Sequence, residues 1–343
     1  MRASRRLARA AGLGALIALV AAPAAGAPVT QIVVPAGFVV STFASGLEHP
    51  TAMAWGPDGR LYITQDTGQV IVTRSGSRRP VVVARGLRVP LGLAWLDERL
   101  FVSERGRLSR YTLQGSSLVG RRSVLRGLPS GRHQQDNVVV GPDGRLYLGS
   151  GSTCDVCREQ DRRSATVLSL RPDGADLRVV ARGLRNPYGL AFQPGTGRLY
   201  ASVNGQDEIG TKANPEPAES VVVVRQGAFY GWPRCWPSYR LRKLAGRCRG
   251  VTPPAAYLEP HSSADGIAFW RNDLYVALWG QYLSNRHGRR VVRIRLGPGG
   301  KARRVTDFAR GFDHPLALVV DRTGALLIAD WGRGVIYRIQ PRG

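Results

Sequence analysis

Short apolar runs and Gly- or Asp-containing turns alternate along most of the chain. One unit recurs: a short apolar segment, a turn, and a second apolar segment. The turn and the start of the second segment occupy Asp58–Tyr62, Asp97–Phe101, Asp143–Tyr147, Thr196–Tyr200, Arg271–Tyr275 and Thr323–Leu327. A tight turn between two short apolar runs is typical of a β-hairpin, so the pattern predicts six hairpins.

The spacing of the six units indicates the architecture. Their second segments pass through residues 62, 101, 147, 200, 275 and 327, at intervals of 39, 46, 53, 75 and 52 residues. A period of about 40–50 residues with several strands per unit is typical of β-propeller blades. The fold predicted is therefore all-β, a six-bladed β-propeller, with a seventh blade inside the 75-residue interval as the alternative.

The apolar segment that opens each unit is predicted to be the innermost strand of its blade. These segments are Ala52–Trp55, Gly92–Trp95, Asn137–Val140, Gly189–Phe192, Gly266–Phe269 and Ala317–Val320. The strand-like segment Gln31–Phe43 is expected to pair with the C-terminal strands and close the ring, which removes exposed strand edges.

The residues before the inner strands should all lie at one mouth of the central channel. Aligned on the turns, the equivalent positions are Glu48, Arg88, His133, Arg185, Ser262 and Asp313, followed by His49, Val89, Gln134, Asn186, Ser263 and His314. Any one of these could be an ordinary polar turn residue. Convergent polar groups at a channel mouth nevertheless predict a ligand site there.

The N-terminus predicts export. Four arginines between residues 2 and 9, the apolar run Leu13–Ala22 and the small-residue stretch Ala24–Ala27 are typical of a secretory signal peptide over residues 1–27. A retained anchor is the alternative, and no later stretch is long and apolar enough to span a membrane. We expect one domain over residues 28–343, with an insertion at about 210–259, in a periplasmic or secreted protein.

Four cysteines fall in two close pairs, Cys154/Cys157 and Cys235/Cys248. An even count behind an export signal favours disulfides. The first pair is compatible with a small disulfide loop, half a metal site or a redox pair.

The formal net charge is +25, which raises the possibility of a nucleic-acid binder. The arginines are scattered singly and do not cluster on one predicted element, so we expect no nucleic-acid partner. The charge can still steer anionic partners toward the protein.

Two segments resemble the quinoprotein glucose/sorbosone dehydrogenases. Arg185–Phe192 resembles their RNPxGLAF segment, and His133, eight residues before Gly141-Pro142-Asp143, resembles the segment that carries their catalytic histidine. Further segments resemble the sorbosone branch of this family. They are Val203–Gly210 with Glu219, Gly227–Pro233, His261–Ser263 with Gly266–Phe269, and Asn285–Arg286 before Val291. The similarity runs from about residue 35 to residue 340.

The resemblance implies pyrroloquinoline quinone (PQQ) held over Ca²⁺ in the central pit. His133 would be the general base, and Arg185, Asn186, Gly205 and Gln206 would bind the cofactor. The implied metal ligands are the backbone carbonyls of Gly205 and Gln206, with the side chains of Asp207 and Glu208 as further oxygen ligands. The implied partners are a sugar or aldehyde substrate and an electron acceptor.

The chemistry suits these residue types. A neutral imidazole can remove the hydroxyl proton of an alcohol or aldehyde hydrate. Ca²⁺ prefers hard oxygen ligands and can polarise a carbonyl, and Arg offers a fork to carboxylates.

The sequence also departs from the family in the cofactor region. Leu87–Val89 stands where the glucose enzymes have a Gln, Arg132 replaces an Asp, Phe312–Pro315 replaces a late Arg pair, and no Lys lies near Gln281–Asn285, although Arg286, Arg289 and Arg290 lie close by.

The function predicted is oxidation of a sugar or sugar aldehyde by hydride transfer to the quinone. Two alternatives remain at this point. One is a propeller of the same ancestry that binds carbohydrate or protein without turnover. The other is a Ca²⁺-dependent lactonase-type propeller, which would need several carboxylates around a metal in the pit.

Overall fold

The recurring turn explains why each unit folds as a hairpin. In the first blade the Asp58 carboxylate accepts hydrogen bonds from the Arg60 amide (3.0 Å) and the Tyr62 hydroxyl (2.8 Å). Gly59 sits at φ 78°, a conformation that glycine adopts without the penalty of a Cβ. Asp143 makes the same two bonds in the third blade. The turn therefore ties the end of the inner strand to the start of the second.

The computed structural model describes residues 31–207, 217–282 and 284–343. The predicted signal peptide and Glu208 lie outside the described residues. Strand β1 (Phe38–Ser45) precedes the first blade. Innermost strand first, the first three blades comprise β2 (Pro50–Trp55), β3 (Leu61–Gln65), β4 (Gln69–Thr73) and β5 (Val81–Ala84); β6 (Gly92–Leu96), β7 (Arg99–Glu104), β8 (Arg107–Gln114) and β9 (Ser117–Arg126); and β10 (Gln135–Val140), β11 (Leu146–Ser150), β12 (Thr166–Leu170) and β13 (Arg178–Arg182).

The remaining blades follow the same order, and blade four carries an extra hairpin. They comprise β14 (Asn186–Phe192), β15 (Leu199–Asn204), β16 (Glu219–Val224) and β19 (Ala256–Leu258), with the hairpin β17 (Cys235–Ser238) and β18 (Lys243–Gly246); β20 (Ala264–Trp270), β21 (Asp273–Leu278), β22 (Arg290–Leu296) and β23 (Ala302–Arg310); and β24 (Pro315–Val320), β25 (Leu326–Asp330) and β26 (Val335–Pro341). A short 3₁₀ turn at Pro298–Gly300 is the one helical element among the described residues.

The ring closes as the sequence predicted. Strand β1 pairs antiparallel with β26, from Phe38 opposite Pro341 to Ser45 opposite Val335, and completes the sixth blade. The inner strands β2, β6, β10, β14, β20 and β24 each contact the next, and β24 contacts β2. The six-bladed β-propeller is confirmed.

The hydrophobic core is divided into wedges between neighbouring blades. A separate buried cluster lies at each of the six blade boundaries in the described chain. Aromatic contacts repeat at several boundaries: Tyr62 packs edge-on against Trp95, Tyr147 against Phe192 and Tyr200 against Phe269. Each wedge stabilises the docking of one blade on the next, which holds the central channel open.

Both predicted disulfides are present, Cys154–Cys157 and Cys235–Cys248. The second links β17 to the segment after β18. With the Cys154–Cys157 disulfide closed, neither sulfur atom is a free thiolate that could bind a metal.

Irregular pairing shapes the inner strands. In five blades the register shifts near the start of the inner strand, for example between Gln135 and Val138 and between Ala264 and Ile267. A β-bulge re-aims the side chains within it. Four of these five inner strands begin two residues earlier than the sequence predicted, and β14 begins three residues earlier.

Candidate functional site

A cavity of about 590 Å³ opens at the centre of the propeller and is lined by all six blades. Each blade contributes one residue at an equivalent position at or near the start of its inner strand. This lining ring consists of Thr51, Leu91, Asp136, Tyr188, Asp265 and Leu316. Five of its members lie inside the register shifts, so the bulges turn them toward the axis.

The ring predicted from the sequence is only partly at the cavity. Of the first layer, His133 and Arg185 line it; of the second, Val89, Gln134, Asn186 and Ser263 do. Glu48, Arg88, Ser262, Asp313, His49 and His314 are absent from the lining. The complete six-fold ring lies three residues after the predicted first layer, because the bulges bring later residues to the mouth.

His133 lies in the cavity wall with its tautomer fixed by Ser152. Its Nδ1 lies 3.0 Å from the Ser152 hydroxyl oxygen and 3.2 Å from the Ser152 carbonyl oxygen. The Ser152 hydroxyl donates its own proton to the Cys154 carbonyl (2.6 Å), so both Ser152 oxygens act as acceptors toward the ring. Nδ1 therefore carries the proton, and Nε2 holds the lone pair.

The surroundings keep this imidazole neutral. Burial, reinforced by the charge of Arg185, lowers the pKa of His133 to about 3, against the opposing effect of the Ser152 hydrogen bond. The ring is therefore uncharged across the physiological pH range, and its Nε2 lone pair carries no proton.

The backbone of Ser152 brings His133 and Arg185 together. Its carbonyl accepts from the His133 amide (3.0 Å), and its amide donates to the Arg185 carbonyl (2.7 Å). The preceding residue must be glycine, because a Cβ at Gly151 would lie 2.4 Å from both the His133 Cβ and the Asn186 Oδ1.

Arg185 is almost fully buried and paired with two carboxylates. Its Nη2 donates to Asp155 at 2.5 Å and to Asp207 at 2.8 Å. Its Nε and the Asn186 Oδ1 are buried without a hydrogen-bond partner in the described chain, although Asn186 donates to Asn204 at 2.7 Å. Unpaired buried polar atoms beside a cavity indicate that a ligand or water completes the site.

Asp207 is surrounded by cationic groups. Its carboxylate lies 2.9 Å from Arg132, 2.8 Å from Arg185 and 3.7 Å from His261. Burial acts to raise the pKa of Asp207, but the hydrogen bond from His261 and the charges of the two arginines outweigh it and hold that pKa well below its usual range. The hydrogen bond to Asp207 in turn raises the pKa of His261.

The neighbouring predicted residues divide between two cavities. Gly205 lines the central cavity, and its amide donates to the buried Glu219 carboxyl at 2.8 Å. Burial raises the pKa of Glu219 to about 7. The Gln206 side chain points elsewhere: it donates to the Pro233 carbonyl (2.9 Å) and lines a second cavity of about 40 Å³ beneath the β17–β18 hairpin.

Two acids of the lining ring lack a basic partner. Asp136 and Asp265 are fully buried, and burial together with neighbouring acidic charge raises the pKa of each well above its usual value. Asp265 accepts from Asn204 (3.1 Å) and Ser263, whereas the Asp136 Oδ2 has no partner among the described atoms. This part of the cavity favours a cation or a proton.

Aromatic residues form the wall from blades five and six. Trp279 packs against Tyr282 (ring centroids 4.6 Å apart) and Trp331 (5.5 Å). The Trp331 indole donates to Asp66 at 2.8 Å, which fixes its plane, and Tyr282 is 74% exposed. An exposed aromatic face beside polar groups suits the alternating apolar and hydroxyl faces of a sugar ring.

Several site residues were not identified from the sequence. Ser152, Asp155 and Arg105 lie in the loops that follow the second strands of blades three and two, outside the loops that the sequence alignment singled out. Asp155, three residues after Ser152 and between the paired cysteines, had no motif to mark it.

The donor groups fit an anionic quinone better than they fit a carboxylate-bound metal. Arg105, Arg132 and Arg185 line the cavity with two histidines, matching a ligand that carries several carboxylates. Asp207 is already held by two guanidinium groups, a poor setting for a cation ligand. Carbonyl oxygens suit Ca²⁺, so the carbonyls of Gly205, which lines the cavity, and of Gln206 stay predicted ligands. In the described chain no helix is long and apolar enough to cross a membrane.

Known proteins are similar to this chain in sequence and in fold. The chain is 22% identical to the aldose sugar dehydrogenase YliI of Escherichia coli, over 81% of this chain and 92% of that protein. The holo pyranose dehydrogenase PQQ domain of Coprinopsis cinerea superposes with a TM-score of 0.81 at 18% identity, covering 93% and 99% of the two chains. The PQQ-bound aldose sugar dehydrogenase of Streptomyces coelicolor gives a TM-score of 0.71 at 23% identity, covering 90% and 100%.

The family model for glucose/sorbosone dehydrogenases matches residues 103–334, which include His133, Arg185 and most of the blades. The chain belongs to the glucose/sorbosone dehydrogenase family.

Proposed function

We propose that this protein oxidises a sugar or sugar aldehyde, using PQQ and Ca²⁺, with His133 as the general base. The observation that carries the proposal is the neutral His133, held by Ser152 with its Nε2 lone pair free, beside Arg185 in one polar cavity.

The chain's own residues divide the work. A hydroxyl group positioned at His133 gives its proton to Nε2, which makes the carbon-bound hydrogen a better hydride donor. Arg185 and Arg132 stabilise the negative charge that develops nearby. When bound, the quinone supplies the centre that accepts the hydride. Gly205 and Gln206 would hold Ca²⁺ through their carbonyls, and Arg185 with Asn186 would contact the quinone.

Asp207 acts in this proposal as the partner of Arg132 and Arg185, and its role as a metal ligand is secondary to those ion pairs. Glu208 stays a predicted ligand outside the described residues. Trp279, Tyr282 and Trp331 supply the wall against which a sugar ring packs.

The test compares wild type with His133→Asn after reconstitution with PQQ and Ca²⁺, using dye-linked reduction with aldoses. We expect the variant to fold, to bind the quinone, and to lose about 10²- to 10⁴-fold in kcat. His287→Asn is a matched control, because His287 is half-buried and bonded to Glu259 but lies outside the cavity lining. Wild-type turnover in His133→Asn would contradict the proposal.

The non-catalytic alternative is separated by the same assay, since it requires sugar binding without dye reduction in the reconstituted wild type. The lactonase-type alternative requires several carboxylates around one metal. In the described chain, no three acidic or histidine side chains of the cavity approach within 4.8 Å of one another. Lactone hydrolysis that depends on Ca²⁺ and needs no quinone would favour it.

The proposal includes a periplasmic or secreted location and an electron acceptor that reoxidises the cofactor. Two disulfides support an oxidising compartment. We propose no nucleic-acid partner: many arginines pair with an Asp two residues away in their own turn, as do Arg60, Arg163 and Arg171.

A further inference from the structure

A short loop after β11 contacts His133, Arg185 and Asp207 in the wall of the cavity. This cystine loop, Ser152–Glu159, is bridged by the Cys154–Cys157 disulfide, which encloses only Asp155 and Val156 between the two cysteines. Its sequence lies outside the segments that carried the family resemblance.

The loop determines the hydrogen bonding of the His133 ring. The Ser152 hydroxyl donates to the carbonyl of Cys154 at 2.6 Å, and that bond turns its oxygen lone pairs toward the His133 Nδ1. The orientation of a bridged cysteine's carbonyl therefore fixes the hydroxyl rotor, which then offers the Nδ1 proton a second acceptor beside the Ser152 carbonyl.

The loop also orients the Arg185 side chain. The Asp155 carboxylate accepts from the Arg185 Nη2 at 2.5 Å and from the Asp207 amide at 3.1 Å. The side chains of Asp155 and Arg185 are 3% and 4% exposed. A buried ion pair is favourable only when its geometry is well maintained, because both charges have lost their hydration.

Additional contacts hold Asp155 in place. The Trp232 indole donates to the Asp155 carbonyl at 2.9 Å. At the ends of the loop, Glu159 accepts from the Thr153 amide and hydroxyl at 2.6 and 2.8 Å, and the Thr153 carbonyl accepts from the Arg132 amide at 2.9 Å. The disulfide closes this frame around a single buried carboxylate.

We infer that Asp155 is a positioning residue for the site, and that the Cys154–Cys157 disulfide holds it where it orients Arg185 and, through Ser152, His133. The inference rests on the proposed function, because it assigns Arg185 to the quinone and His133 to the proton. In this inference the disulfide orients the proton-accepting and cofactor-binding side chains, in addition to stabilising the fold.

The test uses Asp155→Asn and Cys154→Ser/Cys157→Ser in the full chain. Cys235→Ser/Cys248→Ser is the matched control, because it removes the other disulfide, which bridges the β17–β18 hairpin. Two readouts are taken: the ¹⁵N resonances of the His133 ring and the Arg185 side chain, and PQQ binding by absorbance titration with Ca²⁺ present.

We expect Asp155→Asn and the Cys154/Cys157 variant to shift the Arg185 resonances and to weaken PQQ binding about 10- to 100-fold, the usual cost of losing a residue that orients a ligand-binding group. The Cys154/Cys157 variant should also shift the His133 ring resonances, because the Ser152 hydroxyl is no longer held as an acceptor for Nδ1. The control should lower the melting temperature and leave both readouts unchanged.

Unchanged resonances and PQQ affinity within twofold of wild type in both site variants would overturn the inference. Equal loss in the control would also overturn it, because the effect would then be a general consequence of destabilisation. If wild type binds no PQQ, the proposed function fails, and the resonances of His133 and Arg185 still decide whether the loop positions them.

Discussion

The two walls of the cavity differ in kind. The wall from blades three and four carries His133, Arg185 and Asp207, with Asp155 behind them, joined by ion pairs and a fixed imidazole. The wall from blades five and six carries Trp279, Tyr282 and Trp331, joined by ring contacts.

The difference indicates a division of labour within one cavity. Charged groups locked by neighbours suit proton transfer and anion binding, because their dipoles are oriented before the ligand arrives. Aromatic faces give broad, weakly directional contact, which suits holding a sugar. Damage to the first wall should therefore affect stability and chemistry, whereas damage to the second should affect substrate affinity.

The largest effect is expected from Arg185→Met. This change leaves Asp155 buried without its cation, which should lower the free energy of unfolding by about 3–5 kcal/mol. Urea unfolding measures it. The double variant Arg185→Met/Asp155→Leu should recover much of the loss, and a single variant as stable as wild type would show that the ion pair is not structurally important.

Gly151→Ala should come next. Its Cβ would lie 2.4 Å from both His133 and Asn186, so the two residues must separate, at a cost of about 1–3 kcal/mol. Activity should fall with it. Gly144→Ala is a useful contrast: Gly144 has a positive φ of 72° and open space around the new Cβ, so this variant adds backbone strain without a steric contact. Equal kcat in the two variants would argue against tight packing at His133.

Trp331→Ala probes the aromatic wall. Loss of one face of the sugar site should raise KM about fivefold or more while kcat changes little, since about 1 kcal/mol is typical of a central aromatic contact. Steady-state kinetics with several aldoses separates the two constants. A fall in kcat with KM unchanged would indicate that Trp331 contributes to the chemical step and not to sugar binding.

Asp136→Asn probes the uncharged state of the lining ring. The pKa of Asp136 in the folded protein is raised, so the folded protein binds more protons than the unfolded chain at pH values above 3.8. The wild-type protein therefore loses stability as the pH rises from there. In EDTA the variant should be more stable than wild type at pH 8, with the gap closing toward pH 4. Unfolding curves whose difference does not vary with pH would contradict this.

The smallest change is expected in the pH profile. Because the pKa of His133 is lowered to about 3, kcat/KM of wild type should show no acidic limb between pH 7 and pH 5 that belongs to this residue. An acidic limb centred near 6.5 that disappears in a His133 variant would show that the imidazole is not depressed.

The sequence predicted the architecture well because the repeat is local. In blades one and three the turn ties its own hairpin through an Asp and a Tyr, and every turn joins strands that are adjacent in the sequence. Six hairpins and the closing strand β1 could therefore be recognised without knowledge of the whole fold. His133 and Arg185 were identified from motifs, and both line the cavity.

The cavity wall was harder to predict, because its side chains depend on backbone details that no spacing reveals. The bulges place Asp136 and Asp265 at the axis, and positive φ values at His49, Val89 and Ser263 alter the loops before their strands. Asp155 reaches Arg185 across 30 residues. Neither a short motif nor an alternation pattern carries that information.

The most direct test of the central claim is an anaerobic single turnover, in which wild type and His133→Asn, both loaded with PQQ and Ca²⁺, are mixed with excess aldose while the quinone absorbance is followed. The account predicts rapid, complete bleaching in wild type and bleaching slowed by about 10²-fold or more in the variant. Equal rates in the two proteins, or no bleaching in loaded wild type, would contradict it.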